Sequence, residues 1–381
     1  MKLLYIHHKD ICKNTANNIQ VINMCYAFSE HNNTSVTLLI PSFYSKEITI
    51  KKIENQLGCK INFKIEFYKY YNLKKINLST FISLIIFKIK HFRKYSQKHD
   101  TVFTRHILTY LCLRNKKNKY IYEVHNNMLF DRRLLNYIAK KLLSRSKFLD
   151  NLKLICISEN LKKYWESNSN IKNIISIHDG FNSIHFSNKI ALIDAKKTLE
   201  LDESKKHISY IGSLYFDREI ETIIDTAKEI NECEFIIVGG PEINVNFYKE
   251  YALKNNVSNI KFVGPIDHSK IPTYMFASDI LLALWSKKVL TINYCSPLKL
   301  FEYMASGRTI IAHDFITIKE VINEKNGYLI DRNDKNALTK EIKSLLNKSE
   351  PELSLINDQA RKDAFELYSW QIRTRKILEN L

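Results

Sequence analysis

Residues 207–240 read HISYIGSLYFDREIETIIDTAKEINECEFIIVGG, and they decide the fold. HISYI ahead of Gly212 and FIIV ahead of Gly239-Gly240 have strand length and β-branched or aromatic content. A helical pattern separates them, and a third run, NIKFV, precedes Gly264. Strand, glycine turn and helix in alternation specify a doubly wound parallel sheet. Ligands of such sheets collect at the carboxyl ends of the strands, where these glycines fall. Glycine is otherwise scarce, with eight in 381 residues and seven of them at or after Gly180. The few retained mark places where the backbone has no room for a side chain.

The same alternation extends into the first half with fewer glycines. KLLYI, SVTLLI, DTVFT, KYIYEV and LKLICI read as strands, and segments near 17–30, 132–147 and 159–167 as helices. HDGFNSIHF (178–186) reads as a linker. A chain of 381 residues suits two domains. The expected architecture is α/β, two Rossmann-like domains with parallel sheets facing across a cleft. The expected division is residues 1–187, residues 188–360, and a closing helix over 361–381 that crosses back to the first domain.

Charge separates the halves. Residues 1–200 hold 34 Lys and Arg against 14 Asp and Glu, whereas residues 201–381 hold 24 against 26. A Lys-rich compositional bias would act on both halves and does not explain the asymmetry. The excess, densest between Lys51 and Lys147, reads as a surface for nucleic acid or anionic lipid. Residues 78–95, LSTFISLIIFKIKHFRKY, are apolar and then basic. They suit either a helix lying on a membrane or a core helix with a basic end reaching to solvent. Hydrophobic residues make up 45% of the chain, which excludes a wholly disordered or fibrous protein. No apolar run approaches the ~18 residues of a spanning helix. The opening MKLLYIHHKD turns polar too early for a signal-peptide core. Seven scattered cysteines show no metal-ligand spacing and suit reduced thiols. A cytoplasmic protein is expected.

Chemistry concentrates in SPLKLFEYMASG, Ser296–Gly307. Ser296 suits the N-cap of a helix, Pro297 its first position and Gly307 its C-terminal cap. Lys299 falls in the first turn, where the macrodipole disfavours a cation unless an anion is bound. Glu302 follows three residues later on the same face, placed to accept the hydroxyls of a ribose whose diphosphate rests on the helix N-terminus. An ordinary Lys–Glu surface pair is the alternative.

EYMASG (302–307) resembles the end of the Glu-x7-Glu donor helix of GT-B glycosyltransferases of family 4, the group 1 family. The Ser-Pro-x-Lys-x-x-Glu form is a variant seen among related transferases. SYIGSLYFDREIETIIDTA (209–227) is similar to the family's phosphate loop and FIIVGG to the strand after it. KFVGPIDHSKIPTYMFASDILLAL (261–284) is similar to its nucleobase region. NGYLIDRND (326–334) and the closing YSWQIRTRKILENL also match, as do the weaker YEVH ending at His125, CISENL (156–161) and HDGF (178–181).

The resemblance implies retaining transfer of a sugar from a nucleotide diphosphate sugar to a saccharide acceptor, with no obligatory metal. Arg218 and Lys299 would supply positive charge to the leaving diphosphate, and His125 would reach across the cleft to the donor sugar. For His125 a strand-end histidine with a structural hydrogen bond is the alternative. Gly212, Ser213, Gly239, Gly264, Ser296, Pro297, Leu298 and Glu302 would bind the nucleotide sugar, with Gly264 leaving room for the base. Asn14, Thr15 and Ala16 would form the acceptor-side loop.

Three positions depart from the family pattern. Tyr294 stands where the first motif glutamate would be, Ser213 replaces the arginine after the loop glycine, and the turn Lys13–Asn18 lacks a glycine pair. The basic half then reads as a peripheral membrane surface serving a lipid-linked or surface-glycan acceptor, in bacterial polysaccharide or lipooligosaccharide assembly. The rival readings are a GT-B sugar-nucleotide epimerase, a catalytically silent GT-B subunit, and a nucleic-acid-binding protein. The last lacks any C2H2, RNP-like or helix-turn-helix signature, so no nucleic acid partner is expected. Ser296 and Lys299 also fit the Ser-x-x-Lys of serine β-lactamases, but the Lys-Thr-Gly and Ser-Asp-Asn partners are absent.

Overall fold

A computed structural model describes residues 1–73, 76–129, 133–145 and 148–381, without side-chain detail at 76 and 77. The chain forms two compact units. The N-terminal unit comprises Met1–Asp179, Tyr294–Ser296 and Trp370–Leu381; the C-terminal unit comprises Gly180–Asn293 and Pro297–Ser369. The division therefore falls eight residues before the expected one. The crossing segment begins at Trp370, not at 361, because the helix Glu350–Leu367 packs within the C-terminal unit.

The N-terminal sheet has seven parallel strands: β1 (Lys2–Ile6), β2 (Ser35–Pro41), β3 (Lys64–Tyr68), β4 (Thr101–Thr104), β5 (Lys119–Val124), β6 (Leu152–Cys156) and β7 (Ile174–Ser176), in the order β3-β2-β1-β4-β5-β6-β7. The central strands are buried on both faces, which is why KLLYI and KYIYEV are apolar without alternation. β3 and β7 were not legible in the sequence: KIEFY is half polar and lies at the sheet edge, and IIS is only three residues long.

Residues 78–95 form the helix Ile76–Phe87, a π-helical turn Lys88–Phe92 and the start of the helix Arg93–Lys98. Leu84, Phe87 and Phe92 are in the unit's core, and Leu78, Phe81 and Ile89 are exposed. One face of the segment is thus in the core while its basic end is in solvent. The helix expected near 132–147 spans Arg133–Leu143; positions 132, 146 and 147 lie outside the described residues, as do Lys74 and Lys75 of the basic stretch.

The C-terminal sheet has six parallel strands: β8 (Lys206–Ile211), β9 (Cys233–Val238), β10 (Ile260–Gly264), β11 (Ile280–Ala283), β12 (Thr309–His313) and β13 (Tyr328–Ile330), in the order β10-β9-β8-β11-β12-β13. Each unit thus places its first strand centrally and reverses direction beside it, creating a switch point at β1/β4 and at β8/β11. Among the described residues no helix is long and apolar enough to cross a membrane.

Candidate functional site

In the C-terminal unit the helix Leu298–Ser306 carries the two charges singled out in the sequence. It ends as expected on Gly307, which is left-handed at φ 63° and donates its N–H to the Met304 carbonyl. Its start is corrected by one residue: Pro297 is the N-cap, with ψ 120°, and Leu298 is the first helical residue. Ser296 does not cap this helix, because its hydroxyl instead accepts the Asp179 N–H at 2.8 Å within the N-terminal unit. Among the described residues no side chain caps the first turn, so the Leu298 and Lys299 N–H groups are left where an anion would sit.

Lys299 is the second residue of that helix. Its ammonium is buried, lies 3.9 Å from the centre of the Tyr210 ring and 4.9 Å from that of Trp285, and has no hydrogen-bond partner among the described residues. Burial, and then the nearby Arg218 guanidinium, hold its pKa well below the usual lysine range. Arg218 pairs with Asp217 at 2.8 Å. Two basic side chains therefore share this place, and among the described residues Lys299 has no acidic partner.

Glu302 lies one turn further along. Burial pushes its carboxyl up to about 7, and its nearest ionisable neighbour is His268, with Nε2 3.6 Å from Oε1. The His268 Nδ1 is buried without a partner among the described residues, and burial lowers the pKa of the ring. His268 was not singled out from the sequence. Its signal, a histidine in PIDHSK just after the glycine that ends β10, was present but unspecific.

Lack of room for a side chain holds at Gly239, whereas Gly264 is set by its left-handed backbone and not by crowding. A Cβ on Gly239, at φ 130°, would meet the Gly212 carbonyl oxygen at 1.8 Å, so the loops after β8 and β9 touch through bare backbone. Gly264, at φ 86°, has nothing within 4 Å of such a Cβ, which leaves open space at the end of β10. Ser213 contributes its carbonyl, which accepts the Tyr210 hydroxyl at 2.8 Å. Gly212, Arg218 and Lys299 are brought together, and Glu302, on the same helix as Lys299, meets His268 of the short turn His268–Lys270.

In the N-terminal unit, Glu123 of β5 is fully buried and gathers a set of donors. Arg373 Nη2 lies 2.8 Å from its Oε2; the His125 Nε2, the Gln20 amide and the Arg105 Nε reach its Oε1 at 2.7, 2.7 and 3.3 Å. Arg373, foremost among the charges around it, holds its carboxyl well below the usual carboxylate range against the upward push of burial. Asp179 completes the group, 3.6 Å from Arg373. The second His125 nitrogen, Nδ1, accepts from Arg105 Nη2 at 3.0 Å. Burial and then Arg105 lower the pKa of this ring, so it is a neutral imidazole with both nitrogens engaged. In this arrangement both ring nitrogens are engaged by Glu123 and Arg105.

The turn at 13–18 solves its lack of glycine differently. No residue in it has a positive φ. The Asn18 amide holds the loop by donating to the Asp10 and Lys13 carbonyls, both at 2.7 Å. Thr15 caps the helix Ala16–Glu30 by accepting from the Asn18 N–H, and Asn14 is exposed. Tyr294 packs edge-on against Tyr164 at 5.8 Å, and its carbonyl accepts the Ser158 hydroxyl. The position of the missing motif glutamate is thus half-buried, packed against the N-terminal unit's core.

Residues 205–348 match the model of the family "Glycosyl transferases group 1". The group 1 match takes in Gly212, Arg218, Gly239, Gly264, Lys299 and Glu302. An uncharacterized glycosyltransferase of Methanocaldococcus jannaschii is 24% identical over 234 residues, 60% of this chain and 60% of that one, so the match spans less than two thirds of that relative's length. The lipopolysaccharide core biosynthesis mannosyltransferase LpsB of Rhizobium meliloti is 27% identical over 182 residues, 44% of this chain and 49% of that one. The structure of Anabaena HepE in complex with UDP-glucose, 15% identical, superposes with a TM-score of 0.72 over 100% of both chains. The fold is GT-B, with two Rossmann-like parallel sheets.

Proposed function

We propose that this chain is a retaining glycosyltransferase that moves a sugar from a nucleotide diphosphate sugar to a saccharide acceptor. One observation carries the reading: the helix Leu298–Ser306 holds at its amino end a buried lysine amine with no hydrogen-bond partner among the described residues, and a buried carboxyl one turn later. A diphosphate on the first turn would supply the missing negative charge, and ribose hydroxyls would donate to Glu302. As the glycosidic bond breaks, negative charge grows on the diphosphate, and Lys299, Arg218 and the uncapped N–H groups are fixed in place to stabilise it. The positive charge comes from the protein's own side chains, without an obligatory metal. The open space beside Gly264 would take the base. The group 1 match over this unit supports the reading, and UDP-sugars are the first donors to try because HepE was solved with UDP-glucose.

The acceptor proposed is a lipid-linked or surface-glycan saccharide, in polysaccharide or lipooligosaccharide assembly at the inner face of the cytoplasmic membrane. The basic N-terminal half would hold the protein there by salt-sensitive binding to anionic lipid. Similarity to LpsB supports the pathway. The test is incubation of the purified protein with a panel of nucleotide sugars, with and without a lipid-linked saccharide extract, followed by product analysis. Release of nucleoside diphosphate that depends on acceptor supports transfer. Conversion of the free nucleotide sugar to its epimer, with no acceptor needed, would identify an epimerase instead.

A further inference from the structure

A cavity of about 740 Å³ opens on the N-terminal unit beside the edge strand β3. Lys64, Glu66 and Tyr68, alternate residues of that strand, line it together with Thr37 of β2 and Lys2 at the amino end of β1. The opposite wall is His91 from the π-helical turn and Lys94, Tyr95 and Lys98 from the helix after it. Single π-helical turns are rare and recur at functional sites.

Two independent features of the cavity point to an anionic ligand. First, five lysines line it (Lys2, Lys64, Lys69, Lys94 and Lys98) against one carboxylate, Glu66. Glu66 is already engaged by Lys64 and by the Tyr95 hydroxyl. The other four lysines have no ion pair among the described residues. Second, Tyr68 is only 3% exposed and its hydroxyl has no hydrogen-bond partner among the described residues. A buried unpaired hydroxyl costs about 1–3 kcal/mol and calls for an acceptor. Like charges lining a concave surface focus their field inward. Phe87, 5.5 Å from the Tyr68 ring, adds an apolar wall.

We propose that this cavity is an anion site for a phosphate ester: the ammonium groups meet the phosphate oxygens, the Tyr68 hydroxyl donates to the ligand, and the aromatic wall takes its organic part. A soluble sugar phosphate and a phosphate-bearing lipid headgroup present the same chemistry. The site is separate from the donor reading, since Lys299 and Glu302 belong to the other unit.

The experiment uses the full chain, a Lys94→Glu/Lys98→Glu variant and Tyr68→Phe, with thermal unfolding to confirm that each folds. Glucose 1-phosphate is titrated by calorimetry, and co-sedimentation is measured with phosphatidylcholine vesicles containing phosphatidic acid. Binding in the first arm identifies a soluble ester, and binding in the second alone a headgroup. In either case the double variant should weaken binding at least tenfold and Tyr68→Phe several-fold. Failure of both probes, including a chain that takes up RNA but neither probe, overturns the proposal. So does binding that survives the double variant, which belongs to another site. Binding lost in the double variant but untouched by Tyr68→Phe reports a diffuse basic surface and overturns it too.

Discussion

The Nζ of Lys299 lies 3.3 Å from where a Cβ on Gly212 would stand. The glycine turn after β8 and the amino end of the helix Leu298–Ser306 thus converge on one ammonium group. Two aromatic rings are its neighbours, and cation–π contact is worth ~0.5–2 kcal/mol. Removing an ion from water costs several kcal/mol. The difference is the thermodynamic demand that a bound anion would meet.

Glu302 makes the same argument with the opposite sign. Its carboxyl is raised to about 7 by burial, whereas a free glutamate titrates near 4.3. Between those values the folded state keeps a proton that the unfolded chain has released. Stability therefore falls as pH rises through the window, by on the order of 3 kcal/mol once complete. Glu302→Gln is expected to raise the melting temperature at pH 8, to leave it little changed at pH 4, and to weaken nucleoside diphosphate binding about tenfold, the scale of one hydrogen bond to a charged group. Differential scanning fluorimetry across pH, with and without nucleotide, checks this. Equal melting temperatures at pH 8 would show that burial does not raise the carboxyl in this way.

His125 is expected to act on stability and not on donor binding. His125→Ala removes a donor from the buried Glu123 and an acceptor from Arg105, a loss of about 1–3 kcal/mol. Urea unfolding should show a lower midpoint while nucleotide-sugar affinity is unchanged. An unaltered midpoint with weakened nucleotide-sugar binding would return the ring to the donor sugar.

Arg373→Leu should be far more damaging. It leaves Glu123 a buried charge without its closest guanidinium and Asp179 without a neighbouring cation, at a cost of about 3–5 kcal/mol. Because the Glu123 carboxyl is depressed in the folded state, the pair's contribution is present above the ordinary glutamate range and is lost as pH falls below it. Acid titration of the wild type followed by near-ultraviolet circular dichroism should show this loss, and Arg373→Leu should lack that step. Insensitivity to both would show that the pair adds nothing.

What the sequence made legible was local. The strand–glycine–helix repeat revealed the C-terminal sheet, and Gly307 marked the end of the helix Leu298–Ser306 because a left-handed cap favours one residue type. The start of that helix was misplaced because Ser296 had two possible uses, and its hydroxyl went to Asp179, 117 positions away. The Glu123 group was illegible for the same reason: Gln20, Glu123, Asp179 and Arg373 are scattered along the whole chain, and no periodicity links them. His268 was hidden by its ordinary setting. The loop at 13–18 showed an absence of glycine but not the Asn18 clamp that replaces it.

The most direct test of the account is calorimetric titration of UDP, GDP, ADP, CDP and TDP into wild type and Lys299→Met, in buffers of different ionisation enthalpy. A bound diphosphate raises the Lys299 pKa from its depressed value, so binding should take up a proton, and affinity should fall as pH rises through that window. One nucleotide should bind with this uptake. Lys299→Met should abolish the uptake and cost roughly 2–4 kcal/mol, about 30- to 1000-fold in affinity. A nucleotide bound equally well by wild type and Lys299→Met, with no proton exchanged by either, would contradict the donor site.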